Sequence, residues 1–576
     1  MPDVRSHEAA EWWRSAVIYQ IYPRSFADGN GDGVGDLAGV RARLPYLARL
    51  GVDALWFSPW YASPQADAGY DVADYRAIDP VFGTLAEAQE LIREAHALGI
   101  RIIVDVVPNH CSDQHPWFRA ALSKGPDSAE RELFWFRPGR GPSGELPPNH
   151  WQSIFGGPAW TRTSDPDGTP GDWYLHLFAA EQPDLNWEHP RVRQEFEDVL
   201  RFWLDRGADG VRIDSAALLT KDRALADFDP EDPPTASSAN QHPYTDRDDV
   251  HEIYRSWRAI ADSYPDKRAL IGEVWLPDAQ RFANYLRPDE LHTAFNFAFL
   301  GCAWRAEELR RVIDETLTIH APVGAPATWV LSNHDVPRHV TRYGRADTSF
   351  NLEFRQLGAP TDLTLGTRRA RAAILLSLAL PGSAYIYQGE ELGLEEVEDL
   401  PDAVRQDPMF FRTEGANLGR DGCRVPLPWS GQEPPFGFSV TTVTAPATGM
   451  DAAAIVEPWL PQPKAWKDVT VETQAGDPDS MLELYRTALA LRRNSTQLGD
   501  GPLTWLSAPD GVLAFARDAG ADADDDAGAS TDPSFICVVN LSGGPVDLPV
   551  DGAVVLCSGS LESGMLPNDT AVWLVR

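Results

Sequence analysis

IRIIVDVV (100–107) is a near-continuous apolar run, and its reading decides the fold. A strand apolar on both faces belongs to a parallel sheet covered by helices on either side. Just upstream, Thr84 and Glu87 have the spacing of a capping box ahead of Leu85, Ala88, Leu91, Ile92, Ala95 and Leu98, and Gly99 stops that helix. Before it, VDALWFS (52–58) and AVIYQIY (16–22) read as strands, with a helix near Leu37–Leu50 between them. Strand–helix alternation of this length predicts an α/β fold with a parallel sheet.

Downstream the alternation breaks. From about Asn109 to Asp184 the chain is rich in Pro, Gly, Trp and Asp, and a loop of that length reads as an inserted subdomain, residues 109–184. The rhythm resumes with VRQEFEDVLRFWLDRGADGVRID and runs to GSAYIYQGEELGL (382–394), and a helix at Ser480–Arg493 closes the unit. Beyond about Leu498 come short β-type runs, GVLAFAR, FICVVNLS, AVVLCSG and AVWLVR, expected to form a C-terminal antiparallel β-sandwich domain, residues 496–576. Within it, the acidic stretch 518–533 reads as a solvated loop.

Three carboxylates follow apolar strand-like runs: Asp214 after GVRI, Glu273 in ALIGEV, and Asp335 after TWVLSNH. In a (β/α)8 TIM barrel, here residues 1–108 and 185–495, strand C-termini meet at one mouth, so acids distant in sequence can gather there. Such a gathering can cleave an acetal, one acid serving as nucleophile and another as general acid/base. The expected architecture is therefore an α/β TIM barrel with an inserted subdomain after barrel strand 3 and a C-terminal antiparallel β domain.

Composition narrows the partners. The chain has 576 residues, more than one ordinary domain, and is 43% hydrophobic, enough for a large core. Its net charge of -35 argues against nucleic acid and anionic membranes as partners. Five scattered cysteines, Cys111, Cys302, Cys423, Cys537 and Cys557, offer no CxxC spacing and no disulfide framework. The opening residues lack the basic and apolar regions of a signal peptide, and no apolar run approaches membrane-spanning length, so the expectation is a cytoplasmic protein with free thiols.

Nine stretches then carry a family resemblance: DVVPNH (105–110), QPDLNW (182–187), GVRID (210–214), GEVW (272–275), SNHD (332–335), GYDVADY (69–75), FGGPAW (155–160), YIYQGEELG (385–393) and GRDGCRVPLPW (419–429). On these the chain resembles glycoside hydrolase family 13, the α-amylase family, and within it the oligo-1,6-glucosidase and α-glucosidase group. The resemblance implies that Asp214 is the nucleophile, Glu273 the general acid/base and Asp335 the carboxylate that binds sugar hydroxyls and strains the ring. Two acids placed for retention stand roughly 5–5.5 Å apart. Asp214 must be ionised, which Arg212 favours, and Glu273 must hold a proton near neutrality, which partial burial favours.

By the same resemblance His110 and His334 hydrogen-bond sugar hydroxyls, and Asp67 and Tyr70 close the glucosyl subsite. Asp67 is the family's device against extension past the non-reducing end, which implies removal of single glucose units. Arg424 resembles the arginine of RDNARTPMQW, but the stretch here reads RDGCRVPLPW, and Arg420 competes with it for that role.

In DGNGDGVGD (28–36), Asp28, Asn30, Asp32, the Val34 carbonyl and Asp36 match positions 1, 3, 5, 7 and 9 of a calcium loop. Gly39 stands at the twelfth position in place of Glu, so this is no EF-hand. The resembled group binds Ca2+ or Mg2+ structurally in this loop; the alternative is a metal-free Asx/Gly turn.

Ser215 follows the nucleophile. Group members that prefer α-1,6 bonds tend to carry valine there, so Ser215 implies preference for α-1,4, maltose-type glucosides. Three other readings compete: a transglucosylase or sucrose-isomerising enzyme sharing the same acids, a non-catalytic transporter-associated chain, and a carbohydrate-binding protein without turnover. The stretch 443–466 is left without an assigned role.

Overall fold

The computed structural model describes residues 11–228, 242–352, 355–439, 456–518 and 534–576. Residues 519–533 of the acidic stretch lie outside the described residues, as do residues 443–455 of the unassigned stretch and the first ten residues of the chain.

Eight parallel strands form the central sheet: β1 (Val17–Ile21), β2 (Ala54–Phe57), β3 (Arg101–Val106), β4 (Gly210–Ile213), β5 (Ala269–Gly272), β6 (Thr293–Ala294), β7 (Thr328–Val330) and β8 (Ser383–Tyr387). The backbone ladder runs β6-β5-β4-β3-β2-β1-β8-β7. At the remaining seam β6 and β7 meet through Thr293 Oγ1 and Thr328 Oγ1, 2.5 Å apart. The barrel is nearly closed.

Local chemistry explains the elements. β1, β2, β4, β5, β7 and β8 are buried along their whole length, as strands enclosed by side chains within and helices without must be. Helix Leu85–Ala97 begins at the expected capping box, with Thr84 Oγ1 accepting from Glu87 N (3.3 Å) and Glu87 Oε2 from Thr84 N (2.8 Å). Helix Leu37–Leu50 is capped by Asp36 and ends on left-handed Gly51. Helix Met481–Asn494 starts from Ser480.

Between β3 and β4 lies a three-stranded antiparallel sheet, Phe136–Arg137, Pro170–Leu175 and Trp160–Ser164. The ends of this excursion are zipped together: Leu185 N donates to Asn109 O (2.9 Å) and Trp187 Nε1 to Pro108 O (2.8 Å). Lys221, buried, ties the knot from beyond β4, with Nζ 2.7 Å from Asp184 Oδ2, 2.6 Å from Asn109 Oδ1 and 2.7 Å from Leu218 O.

The C-terminal strands, β9 (Leu503–Trp505), β10 (Val512–Arg517), β11 (Phe535–Asn540), β12 (Ala553–Cys557) and β13 (Thr570–Val575), form one antiparallel sheet in the order β9-β10-β11-β13-β12. One face of this sheet packs on a barrel helix, Leu363–Ala379, and the other buries Ala514, Ile536, Val538 and Val572 with Leu566, against Val546, Leu548 and Val550. Trp573 Nε1 donates to Leu375 O at 3.0 Å across the junction with the helix. The five cysteines are free, and all but Cys557 are buried.

Candidate active site

Asp214 directly follows β4, and Glu273 directly follows β5. Their backbones stay in the ladder, Asp214 N donating to Val106 O and Glu273 N to Ile213 O, each at 2.9 Å. Both side chains are therefore fixed at the C-terminal mouth, where side chains from β1, β2, β3, β7 and β8 also converge.

Arg212, in β4, organises the centre. Its Nη1 lies 2.6 Å from Asp214 Oδ1 and 3.0 Å from Asp105 Oδ1, and its Nη2 2.7 Å from Glu273 Oε2. One planar fork thus touches both catalytic candidates, which places their carboxyls side by side. Ser215, held at φ 48°, turns its N–H onto Glu273 Oε2 at 2.9 Å. A serine in that left-handed region is a strained position retained where the geometry is needed.

Burial pushes Glu273 up to about 7, against the pull of Arg212, so it holds a proton near neutrality. Burial also raises Asp214, with Arg212 opposing. Asp335 behaves oppositely: burial raises it, but His334, Arg420 and Arg424 outweigh that and hold it well below the usual carboxylate range. Arg420 Nη1 and Arg424 Nη2 both stand 3.0 Å from Asp335 Oδ1.

The residues expected to line the glucosyl subsite also converge. Arg420 Nη2 is 2.6 Å from Asp67 Oδ1, and Gln182 Nε2 donates to Asp67 Oδ2 at 3.0 Å. Tyr70 Oη donates to Asp105 Oδ2 (3.2 Å), and its ring stacks on His334 with centroids 5.1 Å apart and planes 6° apart. His110 Nε2 lies 3.1 Å from Gln182 Nε2, and His334 Nδ1 2.7 Å from Gln20 Nε2. Burial lowers these imidazoles to about 4 and about 3, so both are neutral at pH 7.

Arg420 and Arg424 are both in the site but do different things. Arg420 joins Asp67, Asp335 and Asp407, the last through Nε at 2.6 Å from Oδ2. Arg424 Nε donates to His334 O (2.9 Å) and braces Asp335. Sequence reasoning gave no role to Asp105, Gln182, Asp407 or Gln20. Two of these carried a signal: Gln20 and Asp105 are polar side chains inside otherwise apolar strands. Gln182 opens the QPDLNW stretch but was given no role, and Asp407, on a long connection, carried no signal.

The 28–36 loop is an Asx-rich turn. Asp28 Oδ1 accepts from Asn30 N and Gly31 N, and its Oδ2 from Gly33 N. Asn30 Oδ1 accepts from Asp32 N, Asp32 Oδ1 from Val34 N, and Asp36 Oδ1 from Gly39 N. Asp36 is raised by burial and further by Asp28 and Asp32, so the three charges repel one another. The donors are all oxygen, which suits a hard cation, and each keeps a spare lone pair. Among the described residues no three His, Cys, Asp or Glu side chains gather as a cage, so an ion here would also need Asn30 and the Val34 carbonyl. Gly33, at φ +89°, admits the neighbouring chain: an added Cβ would stand 2.5 Å from Glu457 O, and Trp459 N donates to Gly33 O (3.0 Å). The described end of the unassigned stretch thus braces this loop. Trp459 also lies under Arg24, 4.2 Å from the guanidinium carbon.

Comparison with known proteins agrees with this geometry. The family model described as "Alpha amylase, catalytic domain" matches residues 20–501. A probable α-glucosidase of Rhizobium meliloti is 39% identical over 529 residues, covering 88% of each chain. An oligo-1,6-glucosidase of Parageobacillus thermoglucosidasius is 34% identical, covering 84% of each. The crystal structure of an α-glucosyl transfer enzyme superposes with a TM-score of 0.79 at 34% identity, over 98% of this chain and 99% of that one. No helix among the described residues is long and apolar enough to cross a membrane. The chain belongs to the α-amylase family, glycoside hydrolase family 13, and is a glycoside hydrolase with α-glucosidases and oligo-1,6-glucosidases among its relatives.

Proposed function

We propose that this enzyme is a retaining, exo-acting α-glucosidase that removes glucose from the non-reducing end of maltose and short malto-oligosaccharides. The observation that carries this reading is the buried contact of Arg420 with Asp67, which fills the end of the subsite where a longer chain would have to continue. Phe155 lies 4.8 Å from the Arg420 guanidinium, and Arg412 Nε donates to Gly156 O (2.8 Å), joining two loops across the mouth beside it.

In the first step Asp214 attacks C1 while Glu273 gives its proton to the departing glycosidic oxygen, forming a β-glucosyl ester on Asp214. In the second, Glu273 takes a proton from water as that water attacks C1, releasing α-glucose. Arg212 holds both carboxyls in register, and Asp335, kept ionised by its arginines, accepts sugar hydroxyls.

Ser215 leaves room beside the departing sugar and supports preference for α-1,4 over α-1,6 bonds. A panel of maltose, maltotriose, isomaltose, sucrose and trehalose tests substrate and attacking group together. Glucose from maltose faster than from isomaltose is expected; faster isomaltose turnover refutes the linkage. Transglucosylation is the second reading, favoured by the likeness to an α-glucosyl transfer enzyme, and new oligosaccharides at high maltose would establish it.

Asp28, Asn30, Asp32, the Val34 carbonyl and Asp36 are proposed to hold a structural Ca2+ or Mg2+ ion, which would relieve the mutual repulsion of the three aspartates. A melting temperature lowered by EDTA and restored by Ca2+ is expected; unchanged melting removes the ion. The free cysteines fit a cytoplasmic setting.

A further inference from the structure

The two oxygens of Glu273 are in different surroundings. Oε2 faces two donors, Arg212 Nη2 at 2.7 Å and Ser215 N at 2.9 Å. Oε1 meets one neutral donor, the indole Nε1 of Trp275, at 3.1 Å. A hydroxyl hydrogen on Oε2 would point into an arginine and an amide, so the protonated acid carries its hydrogen on Oε1.

Trp275 is itself locked. Its ring lies flat on Phe297, centroids 3.5 Å apart and planes 9° apart. Phe297 opens the helix Phe297–Leu300, whose N-cap Asn296 accepts from Phe299 N (3.0 Å) and donates to Thr316 Oγ1 (2.9 Å). Phe297 also contacts Phe295, which packs on Trp56 and Tyr385 in the barrel interior.

We propose that Trp275 is a positioning residue for the acid/base: its indole N–H holds Oε1, the oxygen on which the donors at Oε2 leave the transferable proton of Glu273, and stabilises the carboxylate left as that proton departs. The inference rests on Glu273 being the general acid/base. A carboxylate oxygen accepts a hydrogen bond more strongly than the hydroxyl oxygen of a carboxylic acid, so the indole contact tightens during proton transfer and lowers the barrier. The charged groups facing Glu273, Arg212 and Asp214 from β4, Asp105 from β3 and Asp335 after β7, are unchanged when Trp275 is altered.

The test is W275F, which keeps an aromatic ring against Phe297 and removes the N–H together with part of the indole. The alkaline limb of kcat/KM should move up by about half a pH unit or more, because the charged form has lost a donor. Turnover of maltose should fall about 10-fold, while an aryl α-glucoside, whose leaving group needs little protonation, should fall less than about 3-fold. An unmoved limb with equal losses on both substrates overturns the proposal. Should W275F fail to fold, F297L keeps the N–H but frees the ring; a smaller shift in the same direction supports the proposal, and none overturns it. E273Q separates the two claims. If it keeps the alkaline limb and loses both substrates alike, the reading of Glu273 fails and the inference with it; if it abolishes the limb while W275F leaves the limb in place, only the inference fails.

Discussion

Arg420 Nη2 stands 2.6 Å from Asp67 Oδ1, although the two residues lie 353 positions apart. The same guanidinium reaches Asp335 and Asp407, so one cation fixes three carboxylates around the proposed glucosyl subsite. R420K keeps the charge but loses the planar fork, and it leaves at least one of these acids unpaired. We predict a loss of about 100-fold in kcat/KM on maltose with the protein still folded, as removal of a positioned charge contact commonly produces. Steady-state kinetics alongside circular dichroism check this; near-native activity contradicts the assigned role.

As the proposed general acid, Glu273 can donate a proton only while it holds one. Its pKa is pushed up to about 7 by burial, so the protonated form dominates below that value and is lost above it. The kcat/KM for maltose should fall about tenfold per unit above about pH 7, and fall again on the acid side where Asp214 takes up a proton. An alkaline limb that begins near pH 4–5 would mean that burial does not raise this carboxyl.

Ser215 is next to Asp214, the proposed nucleophile, and half-buried at the mouth. S215V should move the maltose-to-isomaltose ratio of kcat/KM toward isomaltose by about 10-fold, the scale of about 1–3 kcal/mol for a small steric change in a pocket. An unchanged ratio removes Ser215 from linkage selection.

Lys221 joins both ends of the inserted segment to the barrel. K221M leaves Asp184 charged and uncompensated in the interior, which should destabilise the protein by about 3–5 kcal/mol. Denaturant unfolding measures the loss, and K221M/D184N should recover part of it. Equal stability of both variants would show that the pair contributes nothing.

Much of this was legible in the sequence because the barrel strands are short apolar runs buried on both faces and several helices begin at caps with local signatures, Thr84 with Glu87 and Ser480 among them. β6 escaped notice because Thr293 and Ala294 are too short a stretch to show a period. Asp214, Glu273, Asp335, both histidines, Asp67 and Tyr70 could be picked out by motif as candidates. What they touch could not. Arg212 as a bridge between Asp214, Glu273 and Asp105, and Asp407 as an anchor for Arg420, depend on closure of the barrel and on long connections whose course no local pattern encodes. At the C-terminus, alternating strands show that a face is buried, but not that helix Leu363–Ala379 covers it.

The central claim is that Asp214 attacks the anomeric carbon. Trapping the enzyme with a slowly released fluorinated α-glucosyl donor, then sequencing the labelled peptide by mass spectrometry, tests it most directly. The account predicts one sugar bound through an ester to Asp214. A label on Glu273 or Asp335, or turnover through no covalent species at all, would contradict it.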